Sequence, residues 1–121
     1  MKKSEVQRLS NEVFVKVVER YGDSRYQPST PYLVLESSPY ADAKDPNAKG
    51  VFDFDDNEIV VYWKNMDTVE ELVRTVVHEY QHYLQSPRWF ARYYTMGHTY
   101  ESHPYEVKAY AEEENWKSIL N

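Results

Sequence analysis

The chain has 121 residues, no cysteine and a formal net charge of −6, from 14 Lys and Arg against 20 Asp and Glu. This length predicts a single domain, residues 1–121, that can bury a core without disulfide bonds or structural metal ions. The lack of cysteine excludes disulfides and thiol nucleophiles, and the acidic balance disfavours nucleic acid and anionic membranes as partners. No apolar run reaches the ~20 residues of a membrane span, and no apolar stretch follows the basic start as in a signal peptide. We therefore expect a cytoplasmic monomer.

The first third of the chain predicts a helix and a strand. Apolar residues at spacings of three and four predict a helix over residues 4–21, and Gly22 is its expected C-terminal cap. A short apolar run over residues 32–35 predicts a buried strand. Residues 37–50 predict an exposed loop, in which Asp42 and Asp45 lack the sequence of a calcium-binding loop.

Two further apolar runs predict a β-hairpin. Residues 51–54 and 58–63 flank a turn-forming Asp55-Asp56-Asn57 sequence. We expect the neighbouring carboxylates of Asp53, Asp55 and Asp56 to belong to a solvated turn. We also expect the second strand to be the outer strand of the sheet near the functional site. The backbone of Val60, Val61 and Tyr62 would then be free to pair with an extended peptide.

The most informative stretch is His78-Glu79-Tyr80-Gln81-His82, a His-Glu-x-x-His sequence. It lies near the end of a predicted helix over residues 67–85, with a capping box from Asp67 to Glu70 at its start. Residues four apart share a helix face, so His78 and His82 can direct two imidazoles at one ion. Glu79 lies about 100° around the helix, where it can act as general base on a water at that ion. This pattern is typical of zinc hydrolases.

Catalytic zinc usually takes three protein ligands, and our candidates for the third lie in the C-terminal part of the chain. Residues 88–99 are aromatic and predict irregular structure with a short helix before Gly97, and a last helix opens around Pro104. The candidate ligands there are His98, His103, Glu106 and Glu112. We favour Glu106, because it lies in the first turn of that helix and the small Ala109 follows one turn later. His103 is the main rival, although it precedes a proline in extended backbone.

These residues resemble a known family. His78 to His82, followed by His103-Pro104-Tyr105-Glu106-Val107-Lys108-Ala109-Tyr110, is similar to the gluzincin metallopeptidases, and the small size resembles their minimal members, the minigluzincins. The resemblance implies a zincin-like α+β fold with an N-terminal helix, a small mixed or antiparallel three-stranded sheet, the motif helix and a glutamate helix. It also implies Zn²⁺ on His78, His82 and Glu106, peptide hydrolysis, and an outer strand that aligns the substrate.

The residue that would stabilise the oxyanion is open at this stage, because the chain lacks the second subdomain of larger gluzincins. The candidates are Tyr93, Tyr94, Tyr100, Tyr105, His98 and His103. The predicted function is that of a zinc metalloendopeptidase acting on a peptide or protein substrate. One alternative is a weak or inactive relative that binds such partners without cutting, against which the complete Glu79 argues. Another is a metal-free structural domain in which the histidines are accidental.

Overall fold

The computed structural model describes residues 1–40 and 43–121, and these form an α+β fold. In chain order the elements are α1 (Lys3–Tyr21), β1 (Tyr32–Glu36), β2 (Gly50–Asp53), β3 (Glu58–Tyr62), a 3₁₀ turn (Trp63–Asn65), α2 (Val69–Leu84), α3 (Pro87–Thr95), α4 (Pro104–Glu113) and α5 (Trp116–Leu120). The predicted fold class is confirmed. Asp42 lies outside the described residues. Among those described, no helix is both long and apolar enough to cross a bilayer.

The motif helix α2 is the centre of the core. One apolar stripe of α2 is fully buried: Leu72, Val73, Val76, Val77 and Tyr80. The stripe packs against buried side chains of α1 and of the inner face of the sheet: Val6, Val13, Val17, Phe52, Ile59 and Val61. Burying several such side chains stabilises the fold by about 1.5–3 kcal/mol each. The histidines of α2 are therefore carried on a helix that the core holds in place.

The end of α1 is tied to α2. Gly22 has φ +76°, and its N–H donates to the carbonyl of Val18 at 2.9 Å. This confirms the predicted glycine cap, since a left-handed residue after a helix is cheapest for glycine. The hydroxyl of the buried Tyr80 donates to the carbonyl of Gly22, which links this cap to the motif helix.

The strand order is β1-β3-β2, with β1 parallel and β2 antiparallel to β3. The predicted hairpin is confirmed, but the prediction that its second strand is the outer one is wrong. Val60 is paired with Val34 on one side and with Val51 on the other, and Val61 is likewise paired on both sides. The backbone of Val60, Val61 and Tyr62 therefore cannot accept a further strand. The strand beside α2 with a free edge is β2, because β1 occupies the far side of β3.

The caps of the later helices also differ in detail from the prediction. Thr68, and not Asp67, caps α2: its Oγ1 accepts the N–H of Glu71 at 3.1 Å, and the Glu71 carboxylate accepts the N–H of Asp67 at 3.1 Å. The predicted contact between Asp67 and Glu70 is thus replaced by contacts of Glu71 with Thr68 and Asp67. The short helix expected before Gly97 is confirmed as α3, which Ser86 caps through the N–H of Trp89 at 3.2 Å.

Candidate metal centre

Two buried histidines of α2 and one glutamate of α4 converge on a single point. Glu106 Oε1 lies 2.9 Å from His78 Nε2 and 3.0 Å from His82 Nε2. All three residues are less than 9% exposed to solvent. The structure therefore brings together the three residues that the sequence analysis favoured as metal ligands.

The start of α4 explains why Glu106 reaches this point. His103 caps the helix and Pro104 occupies its first turn, where the missing N–H has no cost. Glu106 follows in that first turn, where the helix dipole favours a carboxylate. One turn later Ala109 is fully buried, and α4 packs closely against α2.

The other nitrogen of each histidine is held by an oxygen acceptor. His78 Nδ1 lies 2.7 Å from Glu113 Oε2, and His82 Nδ1 lies 2.7 Å from Gln85 Oε1. The Gln85 amide is oriented by its Nε2, which donates to the carbonyl of Tyr105 at 3.1 Å. Such partners keep the proton on Nδ1 and leave the Nε2 lone pair for a metal.

Sequence reasoning missed Glu113 and Gln85 as partners of the histidines. Both stand at helical spacings from predicted ligands, Glu113 seven residues after Glu106 and Gln85 three residues after His82. Those spacings are the signal that could have found them.

The electrostatics of the cluster are those of closely coupled acids and bases. Burial lowers the pKa of His78, but hydrogen bonds to Glu106 and Glu113 outweigh this and raise it to about 10. Burial raises the pKa of Glu106, but hydrogen bonds from the two histidines prevail and lower it to about 2. Without a metal, His78 is accordingly a cation that bridges two carboxylates at neutral pH.

The donor set suits Zn²⁺. Two imidazole nitrogens and one carboxylate oxygen form one of the ligand combinations of catalytic zinc. Tetrahedral zinc with bonds of ~2.0–2.1 Å requires neighbouring donors about 3.3 Å apart. The observed 2.9 and 3.0 Å between donors are close to this, so a shift of a few tenths of an ångström would admit the ion.

Glu79 lies beside this donor set. One carboxylate oxygen of Glu79 and one nitrogen from each of His78 and His82 lie within 4.8 Å of one another. Glu106, and not Glu79, is the carboxylate in hydrogen-bond contact with both Nε2 atoms, so Glu106 is the one placed to share an ion with them. Burial raises the pKa of Glu79 above its usual range, although the neighbouring histidines lower it. A raised pKa suits a carboxylate that takes up and releases a proton near neutral pH.

Strand β2 passes close to Glu79. A Cβ on Gly50 would lie 2.7 Å from Thr75 Cγ2 and 3.5 Å from Glu79 Cγ, so glycine permits this approach of β2 to α2. Tyr62 N–H donates to the carbonyl of Lys49 at 2.9 Å. Because hydrogen-bonded pairs alternate along an antiparallel ladder, Val51 also bonds to β3, whereas Gly50 and Phe52 direct their N–H and C=O groups to the free edge.

Two cavities meet at Glu79 and form a cleft along this edge. One, of about 390 Å³, is lined by charged and polar side chains that include Lys49, Arg74 and Glu113. The other, of about 500 Å³, is lined by Phe52, Phe54 and Phe90 together with His82 and Glu106. Gly50, Glu79 and Tyr100 line both cavities. An extended chain paired with the free edge of β2 would therefore pass directly over Glu79.

The other candidates for the third metal ligand form hydrogen bonds with groups outside the metal centre. His103 is fully buried, its Nε2–H donates to the carbonyl of Phe90 at 2.8 Å, and its Nδ1 accepts the N–H of Tyr105 at 3.1 Å. Both of its nitrogens are occupied by backbone groups, so the structure favours neither His103 as the third ligand nor His103 as the oxyanion donor, the two roles for which it was a candidate. His98 Nδ1 lies 3.2 Å from Ser102 Oγ, and Glu112 binds the hydroxyl of Tyr21 at 2.9 Å.

Among the predicted tyrosines, Tyr100 is the one that reaches the cleft. Tyr94 and Tyr105 pack around His103, as does Tyr93, and none of the three lines either cavity. The Tyr100 hydroxyl lies 2.7 Å from that of Tyr110, whose ring is 4.6 Å from the ring of His78. Burial and the Tyr110 hydrogen bond raise the pKa of Tyr100, so its hydroxyl keeps its proton.

No family model, curated protein or solved structure matches the chain. The chemistry of the site therefore has to be inferred from the geometry of its own residues.

Proposed function

We propose that the protein is a zinc-dependent peptidase of the gluzincin type. The observation that carries this proposal is the convergence of His78 Nε2 and His82 Nε2 on Glu106 Oε1, with Glu79 buried alongside. Zinc held by His78, His82 and Glu106 would supply the Lewis acidity that activates water and polarises a carbonyl.

Glu79 is the general base and then the general acid in this proposal. Its carboxylate takes a proton from the attacking water and delivers it to the leaving amine. Its burial in the cleft wall supports this role, because a carboxylate with a raised pKa can be reprotonated near neutral pH.

The free edge of β2 aligns the substrate. Gly50 and Phe52 offer N–H and C=O groups to an extended peptide, which adds to the sheet as a further strand. This assigns to β2 the role that the sequence analysis gave to Val60, Val61 and Tyr62. Tyr100 is the donor to the developing oxyanion in this proposal, since Tyr100 lines both halves of the cleft and its hydroxyl keeps its proton.

The test combines zinc analysis with two isosteric variants. Purified protein should contain one zinc per chain, and a chelator should abolish cleavage of a denatured protein substrate. Glu79→Gln should keep its zinc and lose about 10²–10⁴-fold in kcat. Tyr100→Phe should also keep its zinc and lose about 10²–10³-fold in kcat.

Three results would overturn the assignment. Wild-type protein that binds no zinc after supplementation would support the metal-free network in which protonated His78 bridges Glu106 and Glu113. Undiminished hydrolysis by Glu79→Gln would remove Glu79 as the base. Zinc and peptide binding without any hydrolysis would instead indicate a binding domain.

A further inference from the structure

The outer face of the sheet carries an acidic groove that the proposed chemistry does not use. This acidic groove has a volume of about 740 Å³ and is bordered by five carboxylates: Glu36, Asp53, Asp55, Asp56 and Glu58. Its floor includes the aliphatic side chains of Val51 and Val60, and the described residues that line it include no lysine or arginine. It is thus an apolar floor with an entirely negative rim.

The carboxylates of the acidic groove have no cationic partner within the described part of the chain. None of the five takes part in any of its salt bridges. Carboxylate oxygens of Asp53, Asp56 and Glu58 lie within 4.8 Å of one another. Like charges this close raise the negative potential and favour a cation between them.

The acidic groove adjoins the catalytic cleft across strand β2. Both are lined by Val51, Phe52 and Phe54. Successive side chains of a strand point to opposite faces of the sheet. Phe52 is buried on the inner face toward α2, whereas Val51 is 42% exposed on the outer face and Asp53 stands two residues further along that face.

A substrate strand added to β2 would present its side chains to both sites in alternation. Residues directly opposite each other in adjacent strands share a face. The substrate residue opposite Phe52 would enter the aromatic half of the cleft, lined by Phe54 and Phe90. The next residue, opposite Asp53, would project over the rim of the acidic groove.

We propose that the acidic groove is a specificity subsite for a lysine or arginine side chain of the polypeptide substrate, adjacent to a substrate residue with an apolar side chain. The effect of this subsite on cleavage rests on the proposed function, whereas binding of the basic side chain does not. Gly50 lies next to Glu79 and marks the level of the cut, so the basic residue stands three positions from the substrate residue opposite Gly50. The long aliphatic stem of lysine or arginine covers the apolar floor while its charge meets the carboxylates.

The negative charge of the acidic groove argues against two other occupants. A second copy of this chain would bring its own net charge of −6 against the acidic rim. An acidic peptide would meet the same repulsion. A basic side chain is the partner that satisfies both the floor and the rim.

The experiment scans lysine through a neutral, apolar-rich peptide and compares it with glutamine and glutamate at each position. We expect kcat/KM to rise about two- to five-fold for lysine at one position, two to four residues from the cut, and to fall for glutamate there. This preference should shrink as the salt concentration rises, because exposed charges are screened.

Glu58→Lys tests the acidic groove itself, since Glu58 stands opposite Asp53 in the register and its side chain takes part in none of the hydrogen bonds of the described chain. It should abolish the gain in kcat/KM of the lysine peptide over the glutamine peptide. Glu19→Lys, an exposed residue of α1, is the matched control for net charge and should keep the preference.

Binding separates this proposal from the proposed function. Fluorescence anisotropy with zinc-loaded Glu79→Gln measures the lysine preference even if no peptide is cut. Cleavage without a lysine preference overturns the groove assignment and leaves the peptidase standing. Preferential binding of the lysine peptide, with no cleavage of any peptide by the wild-type protein, overturns the peptidase and supports the groove assignment. A preference that survives Glu58→Lys, or that Glu19→Lys also removes, overturns the groove as its source.

Discussion

Two regions of the molecule bury histidine side chains, and they hold them in different ways. At the candidate metal centre, the nitrogens of His78 face the carboxylates of Glu106 and Glu113. At the start of α4, the nitrogens of His103 face the carbonyl of Phe90 and the N–H of Tyr105. The two regions share residue type and depth and differ in the charge of their partners.

The difference teaches which buried histidine can take part in chemistry. A backbone acceptor on Nε2 and a backbone donor on Nδ1 fix the neutral tautomer of His103 and leave it no free lone pair. Carboxylate partners favour positive charge at His78, and a divalent cation can take the place of its Nε2 proton. Burial alone therefore does not identify a functional histidine, whereas the partners of its ring nitrogens do.

The largest expected effect comes from deleting one histidine in each region. His82→Ala should abolish stoichiometric zinc binding, because losing a direct ligand must exceed the ~10–100-fold cost of losing an outer partner. His103→Ala should leave zinc bound per folded molecule unchanged. It should lower the free energy of unfolding by about 2–4 kcal/mol, through the lost helix cap and two unpaired backbone groups.

Zinc analysis of the folded fraction and urea unfolding of both metal-free variants measure these two effects. Two results would contradict the division between the two regions. One is loss of zinc from fully folded His103→Ala, and the other is one zinc still bound per molecule of His82→Ala. His103→Asn is a useful companion, since its side chain can still cap α4 and should recover part of the lost stability.

Much of the fold follows from local patterns. The apolar stripe of α2, the glycine cap of α1 and the proline at the start of α4 each act through neighbouring residues, and each is where the sequence predicts it. The order of the strands is different, because β1 pairs with β3 across more than twenty intervening residues. Nothing in the pattern of Glu58–Tyr62 reveals which of its edges another strand will cover.

The candidate site divides in the same way. His78 and His82 are predictable from their spacing on one helix, and Glu106 from its place in the first turn of another. Glu113 and Gln85 stand at helical spacings too, but their roles depend on which face of α4 turns toward α2 and on the backbone that follows α2. Those are tertiary facts, as is the contact that gives His103 its carbonyl partner on α3.

A smaller effect is expected from Glu113, which holds His78 but does not touch the point of convergence. Glu113→Gln should weaken zinc binding about 10–100-fold, because the ring would lose its charged acceptor and part of its basicity. Glu114→Gln is the matched control, since Glu114 is exposed and contacts Arg74. Competition titration with a zinc chelator measures both, and equal affinities for the two variants would deny Glu113 a role at the metal.

The smallest effect, taken per pH unit, is the pH dependence of the metal-free protein. The pKa of His78 is raised from 6.5 to about 10, so its ion pairs stabilise the fold fully below pH 6.5 and are lost as the pH rises through 10. The pKa of Glu106 is lowered from 4.5 to about 2, so the same contact is lost as the pH falls below 4.5. The metal-free protein should therefore lose on the order of 1 kcal/mol for each pH unit between pH 6.5 and 9.5.

Urea unfolding of metal-free protein across that range distinguishes the two regions once more. His78→Ala should reduce the loss of stability above pH 6.5, because it removes one of the two histidines whose pKa is raised, and His82 remains. His103→Ala should retain the slope at a lower overall stability, since its partners carry no charge. A wild-type slope unaltered by His78→Ala would mean that the carboxylates around His78 do not hold its proton. Carboxylate partners would then not distinguish His78 from His103, whose ring nitrogens contact only backbone groups.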